Sequence, residues 1–136
     1  MKVEVHKGDL PDGVTFGDVV AIDTETMGLD PARDRLCLVQ LSAGDENCHL
    51  VQIVDGEFEA PNLVDLLSDP AVLKLFHYAR FDVAVLRQYL GVEPTPVYCT
   101  KIASKLVRTY TDRHGLKDLC RELLGVVLSK QQQSSD

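Results

Sequence analysis

Residues 19–26 read Val-Val-Ala-Ile-Asp-Thr-Glu-Thr, and they combine a strong strand signal with a pair of carboxylates. The β-branched and apolar residues of the first half predict a buried strand. Because side chains alternate along a strand, Asp23 and Glu25 should project on the same side at its carboxyl end. Two carboxylates this close repel each other unless a cation lies between them, and Mg²⁺ and Mn²⁺ prefer such oxygen ligands. An acidic pair can also simply form the polar end of a strand.

Two more strands are predicted directly after this one. Residues 36–43 and 48–54 are rich in apolar and β-branched side chains, and turns containing Gly, Asp and Pro separate the three runs. Three consecutive strands with short connections favour an antiparallel meander. The preceding residues, 1–18, mix charges with Gly and Pro, and we expect them to form an edge strand or an arm.

The pattern changes after Pro61, where leucines at helical spacing predict a short helix that ends at the Asp-Pro pair of residues 69–70. Residues 72–77 then predict a buried strand, and a second helical face ends at Gly91. This order requires crossover connections and a parallel portion of the sheet. The predicted fold class is α/β, with a mixed sheet that is antiparallel at first, parallel afterwards, and flanked by helices. Further helical stretches are predicted at residues 102–107 and 116–124.

Composition limits the possible functions. The 136 residues are 45% apolar, which is enough for one core, so residues 1–136 are expected to form a single domain. No run of eighteen apolar residues occurs, and residues 1–10 are charged, so we expect a soluble, cytoplasmic protein without a membrane partner. The net charge of -7 provides no global positive field for long nucleic acids. A polyanionic substrate must therefore be held locally, for example by metal ions on carboxylates.

The cysteines are widely spaced and form no Cys-x-x-Cys pair, and no His-Glu-x-x-His motif occurs. We therefore expect them to be reduced and mostly in the core. They are Cys37, Cys48, Cys99 and Cys120.

A third acidic residue follows the predicted strand of residues 72–77. The sequence Phe-His-Tyr-Ala-Arg-Phe-Asp, residues 76–82, places Asp82 in the first turn of the next helix. Negative charge near a helix N-terminus is favourable, so this position alone is ordinary. If the strand of residues 72–77 lies beside that of residues 19–26, however, the crossover brings Asp82 to the edge that carries Asp23 and Glu25. Three carboxylates would then converge on one site.

These motifs resemble those of the DEDD superfamily of 3′-5′ exonucleases, which have the ribonuclease H-like fold and include ribonuclease D. The resemblance rests on Asp23-Thr24-Glu25-Thr26 followed by Asp82. Three further stretches are similar to the nanoRNase C type, small bacterial enzymes that degrade very short RNAs. They read KIASKL at residues 101–106, YTDRHGLK at 110–117 and SKQQQSSD at 129–136.

The resemblance implies hydrolysis of the terminal phosphodiester with two divalent metal ions, Mg²⁺ or Mn²⁺. Asp23 would bridge both ions, Glu25 would bind the first, and Asp82 would bind or orient the second. The implied substrate is short single-stranded RNA, from dinucleotides to short oligonucleotides, and self-association into a homo-oligomer is expected by analogy. The implied substrate contacts are Thr26, Met27, Gly28, Leu29, His77, Arg80, Arg113 and His114.

Several of these residues can also be explained by a purely structural role. Gly28 is equally well explained as a turn residue, and a histidine at a strand end, such as His77, is often structural. Arg113 and His114 could hold a 5′ phosphate or belong to a solvated loop. The tail, residues 129–136, could line the pocket or fray.

One motif of the superfamily is missing. Its fourth acidic residue lies in a Tyr-x-x-x-Asp segment on a downstream helix, and residues 78–82 spell this pattern only at the position of the second motif. The resemblance therefore predicts a C-terminally truncated domain that turns over slowly. Two alternatives stay open, a non-catalytic nucleic-acid-binding or assembly domain and a DNA-directed 3′-5′ exonuclease. Aromatic residues are only 6%, which favours a short substrate over a long stacked strand.

Overall fold

The computed structural model describes residues 2–108, 110–119 and 122. The described residues form strands and helices in the alternating order of an α/β domain. The strands are β1 (Lys2–Lys7), β2 (Val19–Thr26), β3 (Leu36–Ser42), β4 (Asn47–Gln52), β5 (Leu73–Phe76) and β6 (Val97–Cys99). The helices are α1 (Pro61–Ser68), α2 (Ala79–Leu90), α3 (Thr100–Val107) and α4 (Leu116–Leu119).

All of these strands lie in one mixed sheet of order β1-β4-β3-β2-β5-β6. The consecutive strands β2, β3 and β4 pair antiparallel, so the predicted meander is confirmed. The other pairs, β1 with β4, β2 with β5 and β5 with β6, are parallel. The predicted fold class, a ribonuclease H-like mixed sheet with flanking helices, is confirmed.

The sequence predicted strand β1 better than strand β6. Within residues 1–18, Lys2–Lys7 forms the edge strand β1. Strand β6 was not predicted, because it has only three residues, two of them exposed, and follows Pro94 and Pro96. So short a strand shows no alternation from which it could be identified.

Three of the four cysteines lie in the described part of the chain. Cys37, Cys48 and Cys99 are free thiols and are only partly buried; of the three, Cys99 packs against the hydrophobic core, so the predicted core placement holds only in part. Cys120, the predicted helix beyond Leu119 and the tail of residues 129–136 lie outside the described residues.

The hydrophobic core lies between one face of the sheet and helices α1 and α2. In β2, Val20 and Ile22 are buried on this face, whereas Ala21 and Asp23 alternate to the opposite face and are exposed. Helix α2 packs against β2, β3, β5 and β6. Burying an aliphatic side chain contributes about 1.5–3 kcal/mol, so this face fixes the register of the central strands. Among the described helices, none is long and apolar enough to cross a bilayer.

A buried lysine fixes β5 next to this core. Lys74 has no exposed surface, and its Nζ donates hydrogen bonds to the carbonyl of Asp69 and, at 2.8 Å, to that of Thr95. Burial lowers the pKa of Lys74, while the charge of Asp69 opposes that shift. The lysine thus ties β5 to the segment after α1 and to the segment before β6, and it holds the strand from which α2 begins.

Candidate active site

The carboxyl end of β2 carries the first two predicted catalytic residues. Asp23 is exposed and Glu25 is half-buried, on the side of β2 opposite the buried Thr24. Strand β5 pairs with residues 19–21 of β2 and ends at Phe76, where the chain leaves the sheet toward α2. The N-terminus of α2 therefore lies beside the last residues of β2.

Asp82, in the first turn of α2, reaches the same end of β2. Its side chain is 3% exposed and accepts a hydrogen bond from the hydroxyl of Thr24. Burial raises the pKa of Asp82 to about 7; the hydrogen bond from Thr24 opposes this shift, and the nearby charge of Asp23 adds to it. The structure thus brings Asp82 within electrostatic reach of Asp23, from the α2 side of the strand.

The donor set at this strand end fits hard divalent cations. Asp23, Glu25 and Asp82 offer only carboxylate oxygens, the ligands that Mg²⁺ and Mn²⁺ prefer. The raised pKa of Asp82 shows that a negative charge at this buried position is costly, chiefly because of desolvation and in addition because of the charge of Asp23. A cation held by these carboxylates would offset that cost and favour their ionised form.

The turn after β2 presents two apolar side chains to solvent. Met27 is 68% and Leu29 88% exposed, and their contact with substrate stays a prediction. Between them, a Cβ on Gly28 would lie 2.3 Å from a carboxylate oxygen of Asp34, and the Thr26 hydroxyl donates to the Gly28 carbonyl. A side chain at this position would have to displace the Asp34 carboxylate, which is a structural reason for glycine, and a substrate contact of Gly28 stays a prediction.

His77 lies between β5 and α2 with a structural partner. Its Nδ1 hydrogen-bonds with Oγ1 of Thr100 at 2.9 Å, and the same hydroxyl donates to the carbonyl of Phe76 at 3.3 Å. Burial, followed by the charge of Lys101, lowers the pKa of His77. The imidazole is therefore neutral.

A groove of about 470 Å³ runs from Asp23 across the sheet face opposite the core. Its walls include Gln40 of β3, His77, Thr100 of α3 and Leu116 of α4. Cavities of this size are typical of sites for small ligands. A second cavity, of about 490 Å³, lies between α1 and the loop before β2, and none of the predicted site residues lines it. The groove beside Asp23 is therefore the candidate substrate site.

The predicted basic contacts lie in different settings. Arg80 is exposed at the start of α2, and Arg113 is exposed in the loop before α4. His114 is half-buried, and its Nδ1 hydrogen-bonds with the hydroxyl of Ser104 at 2.8 Å. A backbone hydrogen bond links His114 with His77, so this loop meets the groove. The structure brings His77 and His114 together and leaves both arginine side chains at the surface.

Sequence reasoning missed Arg108, which fixes this loop. The guanidinium is 6% exposed, and its Nη1 donates to Oγ of Ser104 at 2.9 Å and to the carbonyl of Arg113 at 2.7 Å. Its Nε also donates to Glu122, which raises the pKa of Arg108. An arginine at the end of a helix gives no signal of burial in a sequence, since most arginines are exposed.

Tyr78, also missed, begins α2 in a left-handed conformation with φ 63°. Such an angle is uncommon outside glycine and often marks functional sites. The ring is 47% exposed, and Nζ of Lys101 lies 4.4 Å from its centroid. Neither feature has a signature in the sequence.

Comparisons with known proteins agree on one family. The 3′-5′ exonuclease family matches residues 9–136. Ribonuclease D of Granulibacter bethesdensis is 33% identical over 120 residues, which cover 86% of this chain and 29% of that protein. The chain thus spans less than a third of the length of the curated relative.

Solved structures give a similar result. Brucella melitensis NrnC with bound Mg²⁺ is 56% identical with a TM-score of 0.92, over 96% of this chain and 65% of that one. The same protein bound to pGG is 57% identical, with a TM-score of 0.92 over the same shares. The family match covers nearly the whole sequence and agrees with the fold, and the chain therefore belongs to the 3′-5′ exonuclease family.

Proposed function

We propose that this chain carries a 3′-5′ exoribonuclease site that releases 5′-mononucleotides from short RNA oligonucleotides and dinucleotides. The observation that carries the proposal is that Asp82, buried beside Thr24, lies within reach of the charge of Asp23, and that Asp23 lines the groove. The ribonuclease D and NrnC relatives support RNA as the substrate class. The NrnC structures with Mg²⁺ and with pGG support a metal and a very short ligand.

Asp23, Glu25 and Asp82 would hold two divalent ions, Mg²⁺ or Mn²⁺. Bound there, such ions activate water and stabilise the departing 3′ oxygen. Asp23 would be the shared ligand, and its exposure at the strand end together with the reach of its charge to Asp82 supports this role. Thr24 positions Asp82 through its hydrogen bond rather than touching the substrate.

The surroundings favour a short substrate held at its ends. The groove of about 470 Å³ has the size of a site for a small ligand, and the net charge of -7 offers no extended basic path. Met27 and Leu29 would pack against the terminal base, while Arg80, Arg113 and His114 would approach its phosphates. Assembly into a homo-oligomer and a cytoplasmic location are further parts of the proposal that rest on the family resemblance and composition.

The test is single-turnover hydrolysis of a 5′-labelled RNA dinucleotide, with protein in excess and saturating Mn²⁺, so that slow cleavage is also detected. The parent chain should release mononucleotide in a metal-dependent way, and Asp23→Asn should not. Asp65→Asn, which changes an exposed carboxylate on α1, is the matched control and should behave as the parent does. Equal release by the parent and by Asp23→Asn would refute the assignment.

Two further measurements separate the alternatives. Faster release from a 2′-deoxy dinucleotide than from the RNA would favour a DNA-directed exonuclease, because an RNA-selective site must read the 2′-hydroxyl. Metal-dependent binding without any release would favour a non-catalytic nucleic-acid-binding domain. A rate that rises steadily with RNA length would contradict the preference for short substrates.

A further inference from the structure

A second cluster of metal-ligating side chains lies at the opposite edge of the sheet, far along the strand order from β5 and α2. Strands β1 and β4 pair in parallel, and their register places Glu4 beside His49. His6 lies two residues after Glu4 and therefore projects on the same face. The ligand atoms of Glu4, His6 and His49 all lie within 4.8 Å of one another.

Two separations within the cluster are close to those of a tetrahedral site. Nε2 of His6 is 3.0 Å from Nδ1 of His49, and Oε2 of Glu4 is 3.4 Å from the same Nδ1. A tetrahedral Zn²⁺ with ligands at about 2.0–2.1 Å separates neighbouring ligand atoms by about 3.3–3.4 Å. Small side-chain rotations would therefore give both contacts the spacing of a tetrahedron edge.

The two imidazoles are held in place by their neighbours. The side chain of His49 is 12% exposed, and the buried Phe16 packs edge-on against its ring at 5.3 Å. The rings of His6 and His49 stack at 5.2 Å with an interplanar angle of 18°. Ligands that packing has already ordered lose little side-chain entropy when they bind a metal.

Glu4 is the accessible member of the cluster. Its side chain is 37% exposed and forms an ion pair with Nζ of Lys2 at 3.6 Å, at the solvent side. A cation entering from this side would replace Lys2 as the partner of Glu4. It would also replace the hydrogen bond between the imidazoles, with His6 carrying its proton on Nδ1 and His49 on Nε2.

We propose that Glu4, His6 and His49 form a binding site for a divalent transition-metal ion of the Zn²⁺ type. Two imidazole nitrogens with one carboxylate oxygen suit Zn²⁺, whereas Mg²⁺ prefers oxygen ligands alone. Water would complete the tetrahedron. This site is separate from the carboxylate cluster of Asp23, Glu25 and Asp82, and it does not depend on the function proposed for that cluster.

The ion would join the edge strand to the sheet through side chains. Among the described strands β1 pairs only with β4, and its outward residues Val3 and Val5 are 54% and 58% exposed. The core therefore holds β1 weakly, and a metal bridge from β1 to His49 of β4 adds a second connection. Zinc should accordingly slow exchange of the β1 backbone amides with solvent.

The test is calorimetric titration of ZnCl₂ into the untagged chain carrying Asp23→Asn, which removes a ligand of the other cluster. One ion should bind per chain, and Co²⁺ in place of Zn²⁺ should give the visible absorption of a tetrahedral site. His6→Gln and His49→Gln should each weaken Zn²⁺ binding at least about tenfold and abolish the Co²⁺ band. His77→Gln, in the same background, is the control and should change neither.

His6 is half-exposed at the sheet edge, so His6→Gln should fold even if His49→Gln does not. Unchanged Zn²⁺ affinity in His6→Gln would overturn the proposal. So would a Co²⁺ spectrum of octahedral type, or displacement of Zn²⁺ by an equal concentration of Mg²⁺.

Discussion

The carboxylate cluster at the end of β2 differs from the imidazole cluster at the β1 edge, which consists of Glu4, His6 and His49. The difference lies in how each cluster tolerates the absence of a metal ion. In the first, burial and the charge of Asp23 raise the pKa of Asp82 to about 7. In the second, His6 and His49 hydrogen-bond each other at 3.0 Å, and Glu4 pairs with Lys2. The first cluster is therefore electrostatically unfavourable without a cation, whereas the second is satisfied without one.

This difference indicates different roles for metal at the two clusters. A site with several carboxylates, one of them buried, binds cations and concentrates their field on a substrate, as phosphodiester hydrolysis requires. A site whose ligands already hydrogen-bond each other gains less from an ion and serves better to join two strands. We therefore expect metal to control catalysis at Asp23 and stability at His6.

The largest effect is expected from Asp23→Asn at the first cluster. Loss of a shared metal ligand should lower the single-turnover rate with an RNA dinucleotide by at least about 10²-fold, because neither ion would be held in place. The folded structure should survive, since Asp23 is exposed. Quenched-flow or gel assays of product release measure the rate, and circular dichroism checks the fold. A loss smaller than tenfold would place the metal ligands elsewhere.

The next largest effect is expected on the stability of the metal-free chain, and it depends on Asp82, the buried acid of the same cluster. Because the pKa of Asp82 is about 7 in the folded chain and near 3.8 in the unfolded chain, the folded chain keeps its proton to higher pH. The stability that this proton confers is present below pH 3.8 and is lost as pH rises through 7.

Asp82→Asn should remove this dependence and keep the acceptor for Thr24. Since one pKa unit is worth about 1.4 kcal/mol, the variant should be more stable than the parent by about 2–4 kcal/mol above pH 7. Urea unfolding in EDTA between pH 5 and 8 measures the difference. Parallel stability curves for the two proteins would show that Asp82 is not the titrating group.

The carboxylate cluster was largely predictable from the sequence, whereas the imidazole cluster was not. Asp23, Glu25 and Asp82 lie at strand and helix ends that hydrophobic periodicity locates. The crossover rule predicts a parallel portion of the sheet, whereas the position of β5 beside β2 comes from the structure. Glu4 and His49 are 45 positions apart in the numbering and meet through the parallel pairing of β1 with β4. Nothing in the pattern of residues 1–18 specifies that register.

The same limit explains the contacts that fix the loop before α4. Arg108 and Ser104 meet across one helical turn, but their joint contact with the loop depends on where residues 110–116 turn back. Loop paths follow from tertiary packing rather than from periodicity. The left-handed Tyr78 is equally invisible, because no residue type other than glycine predicts a positive φ.

A smaller effect is expected from zinc at the imidazole cluster. At a free Zn²⁺ concentration about one hundred times the dissociation constant, binding should raise the free energy of unfolding by about 2.7 kcal/mol. His6→Gln should remove most of this increment, whereas Asp23→Asn should keep it. Thermal unfolding with and without Zn²⁺ gives the comparison. If Asp23→Asn removed the increment and His6→Gln kept it, zinc would be acting at the carboxylate cluster.

The smallest effect is expected from Thr24→Val, which preserves the shape of the buried side chain and removes the hydroxyl that donates to Asp82. That hydrogen bond favours the ionised carboxylate and opposes the effect of burial, so its loss should raise the pKa of Asp82 above 7. A hydrogen bond to a charged group contributes about 1.5–3 kcal/mol to stability. In Thr24→Val the carboxyl of Asp82 can take up a proton instead, and because a protonated carboxyl needs less solvation, part of this loss is offset. The expected net loss of stability at pH 8 without metal is therefore about 1 kcal/mol, with little change at pH 5.

Carbon-detected NMR of the Asp82 carboxyl follows the titration directly, and Thr15→Val, at an exposed position, is the matched control. Because a cation must displace the extra proton, apparent Mg²⁺ affinity at pH 7 should fall in Thr24→Val and recover at pH 8.5. An affinity that falls equally at both pH values would mean that Thr24 acts on the geometry of the site and not on the ionisation of Asp82.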